Sequence, residues 1–430
     1  MSDPITIAVA GLGTVGAGTL KLLQRHAGLI EQRCGRRIEV AAVSARDRER
    51  DRGVDLGAAV WYDDAVAMAA APGTEVVVEL IGGAEGVAKA VCEAAIAAGK
   101  HVVTANKALL AHHGVALARA AEGKGVTVGY EAAVAGGIPI VKGLREGLAG
   151  NRITRVYGIL NGTCNYILTT MRETGNEFAD VLEEARRLGY AEADPSFDID
   201  GIDAAHKLAI LTSVAFGCEI NFDGVFVEGI RHVSALDITF AEELEYRIKL
   251  LALARLTENG VEQRVHPCMV PNRAAIAYVE DVDNAVVAEG DFVGDVMFEG
   301  PGAGAGPTAS AVVADLIDLV RGRRLATLGL PVETLAKVPA APMERHRGPY
   351  YIRLMVLDRP GVIADVAAAM RDEAISVESM LQHGRAPGEA VPVVLTTHET
   401  EEASMNRALA RIAQLETVVE PPRMIRIEPL

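Results

Sequence analysis

The chain has 430 residues, half of them hydrophobic and 23% charged, which suits a soluble globular protein of two or three domains. Its 42 basic and 58 acidic residues leave a net charge of −16, which argues against nucleic-acid or acidic-membrane binding. The five scattered cysteines form no CxxC pair, so a reduced cytoplasmic setting fits better than a disulfide framework or a zinc site. No apolar window is long enough to span a membrane, and the start MSDPITIAVAG lacks the basic region of a signal peptide.

Residues 5–9 (ITIAV) predict a short strand that stops at glycine, with a helix from Thr14. Strand-like runs follow at 38–45, 74–80, 101–106 and 125–134, separated by alanine-rich helical stretches at 84–98 and 108–122. This alternation predicts a doubly wound parallel sheet over residues 1–135. From Gly136 the alternation weakens. Helices at 138–149, 162–173, 177–188 and 202–216 mix with a strand at 153–160, which predicts an α+β domain over 136–299. A glycine-rich turn and helix at 298–320 begin a return segment, 300–337, that completes the first domain. Prolines at 338–349 read as a linker. Residues 350–430 then restart as a small βαββαβ domain.

Gly11-Leu12-Gly13-Thr14-Val15-Gly16 is a GxGxxG segment placed directly between a strand and a helix. In that context the first glycine allows the turn, the second lets a pyrophosphate approach, and the third lets helix and strand pack. The helix N-terminus offers free N–H groups to phosphate. The pattern predicts NAD or NADP binding; the alternative is an ordinary glycine-rich turn. The second strand ends at Ser44-Ala45-Arg46. Arg46 stands where strict NAD selection would place an acid, so the reading leans toward NADP, although Asp47 and the run of charges leave a solvated loop equally open.

The densest constellation runs from Gly189 to Lys207 and holds Glu192, Asp194, Asp198, Asp200, Asp203 and Lys207. Asp203 and Lys207 are four apart and share one helix face. A lysine beside a hydride acceptor suits proton transfer to a carbonyl oxygen, and the carboxylates suit a substrate ammonium. A surface Asp–Lys pair explains the same spacing. The acids do not follow a calcium-loop pattern, because Pro195 interrupts them.

The segment from Ala185 to Lys207, A-x3-G-Y-A-x2-DP-x2-D-I-x-G-x-D-x3-K, resembles the signature of the homoserine dehydrogenase family. The GLGTVG opening, VVTANK ending at Lys107, EAAVAGGIP (131–139) and NGTCNYIL (161–168) resemble the same family in the same order, over residues 1 to about 330. The resemblance implies reversible NAD(P)-dependent reduction of L-aspartate 4-semialdehyde to L-homoserine, in the biosynthesis of threonine, methionine and isoleucine. It implies Lys207 as general acid/base and Lys107 as a second active-site lysine that meets substrate and cofactor. Glu192 and Asp203 would bind substrate. Gly11, Gly13, Thr14, Val15, Gly16, Ala45, Arg46, Gly189, Gly302 and Gly304 would contact cofactor. Glu131, with the carbonyls of Val134, Gly136 and Ile138, would hold a monovalent cation such as sodium.

Cys164 stands where the family usually carries threonine. An acyl-enzyme dehydrogenase would need such a thiol, but no paired histidine accompanies it, so it reads as a buried small residue. The tail resembles an ACT domain in its element order and its Asp358-Arg359-Pro360-Gly361-Val362 turn. That implies an amino-acid effector, threonine being the natural expectation, and a homodimer or homotetramer; an inert dimerisation module is the alternative. A cofactor-fold amino-acid sensor without activity is disfavoured by the combination of Lys107, Lys207, Glu192 and Asp203.

Overall fold

The computed structural model describes every residue except 1, 2 and 384–386. Six parallel strands form the first sheet, in the order Val60–Trp61, Ile38–Ser44, Ile5–Ala10, Val76–Glu79, His101–Thr104, Val128–Gly129. The order reverses between Ile5–Ala10 and Val76–Glu79, and a doubly wound sheet binds its ligand at such a switch point. Both faces are covered, so the strands are apolar throughout: Ile7, Val9, Val76, Val77, Val78, Val102 and Val103 are fully buried. The return helix Ala305–Val320 packs on one face, where Val312, Val313 and Leu316 join Ile5, Ile7 and Val9 in a common core.

Two expected elements are shorter or different. The predicted strand at 125–134 ends at Gly129, and Glu131–Ala133 form a 3-10 turn because Glu131 N–H donates to the Asp315 carboxylate instead of a strand. The predicted helix at 138–149 is an α-turn, Ile140–Lys142, continued by a wide π-turn over Gly143–Gly147.

The second sheet has ten strands and carries the central domain and the tail together. Gly294–Pro301, Asp283–Gly290, Ile153–Ile159, Tyr246–Thr257 and Gly260–Pro271 pair antiparallel in that order. The long hairpin 246–271 turns at Gly260, whose φ of +120° suits glycine. Helix Ile202–Phe216 contributes Ala204, Ala205, Leu208 and Leu211 to the core of this domain.

The tail has the expected βαββαβ order: Tyr350–Leu357, Val362–Asp372, Val377–Gln382, Ala390–Thr397, Glu402–Ile412 and Arg423–Ile427. Its last strand pairs parallel with Gly260–Pro271 through Cys268↔Arg426 and Met269↔Ile427, so one sheet runs through both domains. Buried ion pairs stitch this seam. Arg426 meets Glu402 and Glu228, Arg353 meets Asp237 (2.7 Å), and Arg264 meets Glu428. The proline-rich segment 338–349 is not a free linker. It lies against the hairpin, with Val261 N–H donating to the Pro339 carbonyl (2.9 Å) and His346 contacting Glu262 (3.1 Å). No helix among the described residues is long and apolar enough to cross a membrane.

Candidate active site

The glycine turn sits at the switch point of the first sheet. Gly11 has φ +100°, and a Cβ there would stand 2.5 Å from the Leu80 carbonyl oxygen. A Cβ on Gly16 would stand 2.1 Å from the Gly11 oxygen, whereas Gly13 has open space beside it. Helix Thr14–Arg25 begins at Gly13 with no side-chain cap, so its first N–H groups remain open toward the cleft, and Thr14 is exposed there. Val15 is half-buried one residue further into this turn. The cleft of ≈ 580 Å³ is lined by Gly11, Leu12, Gly13, Ser44, Ala45 and Arg46, among others. Asp47 also lines this cleft, its Oδ1 accepting from the N–H of Glu49 and Arg50 in its own loop. Arg48 and Arg52 stack on Trp61, and Arg52 Nε donates to the Leu12 carbonyl (3.2 Å).

The second cluster forms where two helices meet. Asn106 caps helix Lys107–Lys124 by accepting from Leu109 N–H, which fixes Lys107 at its first position. Helix Ile202–Phe216 presents Asp203 in its first turn and Lys207 one turn later. Asp203 joins the two lysines: Lys107 Nζ lies 2.9 Å from Oδ1, and Lys207 Nζ donates to Oδ2 (2.7 Å) and to the Leu160 carbonyl (2.6 Å). Asn161 Nδ2 completes the carboxylate cage by donating to Asp203 Oδ2 (2.9 Å) and Asp198 Oδ1 (2.8 Å).

The lysines differ because their burial differs. Complete burial pulls Lys207 below the ordinary lysine range, despite Asp203, and the neighbouring Lys107 adds to that. Burial also opposes the charge on Lys107, but the Asp203 and Asp198 carboxylates outweigh it and raise that group. Burial favours the neutral form of Asp203, yet the two ammonium groups hold it well below the usual carboxylate range. Burial raises Asp198.

Asn161 and Asp198 were not singled out from the sequence as site residues. Asn161 is also the cap of helix Gly162–Thr174, accepting from Cys164 N–H, and capping position was its local signal. Cys164 is fully buried with its thiol pushed well above the ordinary range by desolvation, as a packing residue should be. Glu192 is exposed in the turn before Ser196–Ile199 and, among the described residues, makes no ion pair with the lysines. Gly189 ends helix Phe178–Leu188 in the left-handed conformation.

The EAAVAGGIP segment forms a tight buried turn. Ala135 and Gly136 both have positive φ, and a Cβ on Gly136 would stand 2.4 Å from the Gly302 carbonyl oxygen. Gly302 thus closes over this turn, and Gly304 begins the return helix beside it, its φ +115°. The Glu131 carboxylate accepts from the N–H of Val141 (3.0 Å) and Lys142 (2.8 Å). Burial and the Asp315 charge raise Glu131 to about 7. The carbonyl-bearing residues Val134, Gly136 and Ile138 are buried within the turn, and the Ile138 carbonyl accepts from Ile140 N–H (2.8 Å).

Comparison with known proteins agrees with this geometry. Residues 11–131 match the homoserine dehydrogenase NAD-binding domain, 139–317 match homoserine dehydrogenase, and 350–417 match the ACT domain. The chain is 48% identical to a homoserine dehydrogenase of Pseudomonas aeruginosa and 45% identical to one of Neisseria gonorrhoeae, over 99% of each chain. It superposes on a solved homoserine dehydrogenase of Thiobacillus denitrificans with TM-score 0.94, at 48% identity, over 99% of this chain and 98% of that one. A hyperthermophilic archaeal homoserine dehydrogenase in complex with NADPH matches with TM-score 0.65 at 27% identity, over 76% of this chain and all of that one. With all three of its segments matched and relatives of 45–48% identity over its whole length, the chain belongs to the homoserine dehydrogenase family.

Proposed function

We propose that Lys107, Asp203 and Lys207 form the centre at which this homoserine dehydrogenase interconverts L-aspartate 4-semialdehyde and L-homoserine. The observation that carries the assignment is the single buried carboxylate that joins two lysines, one from the nucleotide-binding domain and one from the substrate domain. Reduced nicotinamide, when bound, supplies the hydride. Lys207 gives a proton from Nζ to the aldehyde oxygen as negative charge develops there, and recovers it in the reverse direction. Its lowered affinity for the proton brings giving and recovering the proton closer to balance than for an ordinary lysine. Lys107, which stays charged, orients the substrate at the mouth, and Asp203 holds both ammonium groups in register. Glu192 and the half-buried Asp198 are the carboxylates available to the substrate ammonium.

The cofactor is NAD(P), and we read the cleft as favouring NADP. Gly11, Gly13, Thr14, Val15 and Gly16 cradle the pyrophosphate, while Ala45 and Arg46 meet the adenosine ribose. Asp47 is committed to its own loop, and Arg46 is exposed on the cleft wall, which supports a 2′-phosphate partner. Gly189, Gly302 and Gly304 complete the cofactor set. A monovalent cation, sodium by chemistry, fits Glu131 and the turn of Val134, Gly136 and Ile138. Asp315 and Asp318 already share the Lys142 ammonium, and Glu131 adds a further buried acid beside Asp315, an excess of acidic groups that suits a hard cation.

The division into residues 1–135 with 300–337, 136–299 and 350–430 follows the same reading. The ACT domain takes an amino-acid effector, threonine by pathway logic, and the assembly is a homodimer or homotetramer working in the cytoplasm. The experiment is NADP reduction with homoserine, for the wild type and Lys207→Ala. Turnover by the wild type with at least hundredfold loss in the variant and unchanged cofactor binding is expected. No turnover with either cofactor overturns the reading.

A further inference from the structure

The helices that carry Lys107 and Lys207 make a second polar contact that the reaction does not use. His112, on helix Lys107–Lys124, and His206, on helix Ile202–Phe216, face each other with Nε2 to Nε2 at 3.3 Å. Their ring centroids are 5.3 Å apart and the rings are tilted by 70°. Phe222 walls both rings, at 4.8 Å from His112 and 4.4 Å from His206, and Phe197 lies 5.5 Å from His206. His206 is 4% exposed, and its Nδ1 has no hydrogen-bond partner, whereas His112 is exposed.

Two neutral imidazoles can share one proton across such a contact, but a metal ion uses the same geometry. Nitrogens that ligate one tetrahedral Zn2+ at 2.0–2.1 Å lie about 3.3 Å apart, and their ring centroids about 5.2 Å apart. Both separations match the observed pair. His206 is held by Phe222 and Phe197 with its Nε2 turned to His112, so the ring is already oriented to ligate. The exposed side of His112 leaves the remaining coordination positions to water and gives an ion its entry path. A different trio, His266, Cys268 and Glu428, also gathers ligand atoms within 4.8 Å. There Arg264 already donates to His266 Nε2 (2.7 Å) and pairs with Glu428, which leaves no place for a cation.

We propose that His112 and His206 form a two-histidine site for a borderline transition-metal cation, of which Zn2+ is the reference, and that the ion fastens the nucleotide-binding helix to the substrate-domain helix. His112 is five residues from Lys107, and His206 is next to Lys207. The bound ion therefore fixes the spacing of the two helices beside the reacting centre and slows turnover. The inhibition rests on the reaction assigned above; the binding does not.

The test measures Zn2+ binding to the full chain by competition with a chromophoric chelator, beside activity without and with micromolar Zn2+. His112→Ala is the variant, since its side chain is exposed and has no part in the reaction assigned above. The expected result is one Zn2+ per chain in the wild type, weakened at least about tenfold in His112→Ala. Activity without metal is equal in the two proteins, and chelator-reversible inhibition is confined to the wild type. Equal Zn2+ affinity in wild type and variant overturns the site. Weakened binding with equal inhibition of both proteins overturns the fastening role. A wild type that binds Zn2+ but has no activity in any condition counts against the reaction and leaves the binding result standing.

Discussion

The Asp203 carboxylate lies between Lys107 and Lys207, at 2.9 Å and 2.7 Å, and so couples two domains through one buried charge. Asp203→Asn keeps the shape and removes that charge. The two ammonium groups then repel each other without compensation. Lys207, fully desolvated, holds its proton still less firmly, because Asp203 is what raises it. We expect kcat for homoserine oxidation to fall by about a hundredfold or more, and its rising pH limb to move to lower pH. Stability should fall by about 3 kcal/mol, the usual cost of breaking a buried pair. Steady-state pH profiles and urea unfolding check both; an unmoved limb would separate Asp203 from the proton transfer.

What could be read in the residues beforehand follows how locally each feature is encoded. The glycine turn and the Asp203–Lys207 spacing are short-range, and both were legible. The strands Tyr246–Thr257 and Gly260–Pro271 were not, because Lys249, Glu262, Gln263, Arg264 and His266 are buried within them and break the apolar pattern by which a strand is read. The Asn161–Asp198 contact spans 37 residues and depends on helix packing, which no spacing rule encodes. The same holds for the seam at Cys268↔Arg426, which turned two expected domains into neighbours on one sheet.

Arg46 tests the cofactor reading. It stands exposed on the cleft wall, and Asp47 beside it is spent on the N–H groups of Glu49 and Arg50. Arg46→Ala should raise KM for NADP about tenfold, a loss of one charge-assisted phosphate contact, and leave KM for NAD within twofold. Equal changes for both cofactors would remove Arg46 from the ribose site.

Lys249 carries a pH signature in stability rather than activity. It is 2% exposed and donates to Val279 O (2.6 Å) and Asn165 Oδ1 (3.2 Å), and burial lowers it to about 8. Below pH 8 the lysine is charged in both folded and unfolded states, so its full burial cost weakens the fold. Between about 8 and the ordinary lysine value the unfolded chain holds more protons, and stability contributed by this site rises with pH. Relative to Lys249→Met, the wild type should gain up to about 3 kcal/mol over that window in urea unfolding. Parallel stability curves for the two proteins would show that the group titrates normally.

Arg426 decides whether the tail is mechanically part of the catalytic body. It is 3% exposed and pairs with Glu402 inside the tail and with Glu228 (2.8 Å) in the central domain. Glu228 leads through Gly229 to the turn before helix Ile202–Phe216, where a Cβ on Gly229 would stand 2.2 Å from the Ile199 carbonyl oxygen. Any shift at Glu228 therefore presses on Ile199 and Asp200, just ahead of Asp203. Arg426→Ala leaves Glu402 buried without its cationic partner, with the Tyr350 hydroxyl left donating to it, and should cost about 3–5 kcal/mol. Because the strand Arg423–Ile427 closes both domains, hydrogen exchange should accelerate in that strand and in residues 265–270 together, while the first sheet keeps its protection. An effector acting through the tail should then lose its grip on turnover in this variant, whereas acceleration confined to 423–427 would show that the two domains sit side by side without coupling.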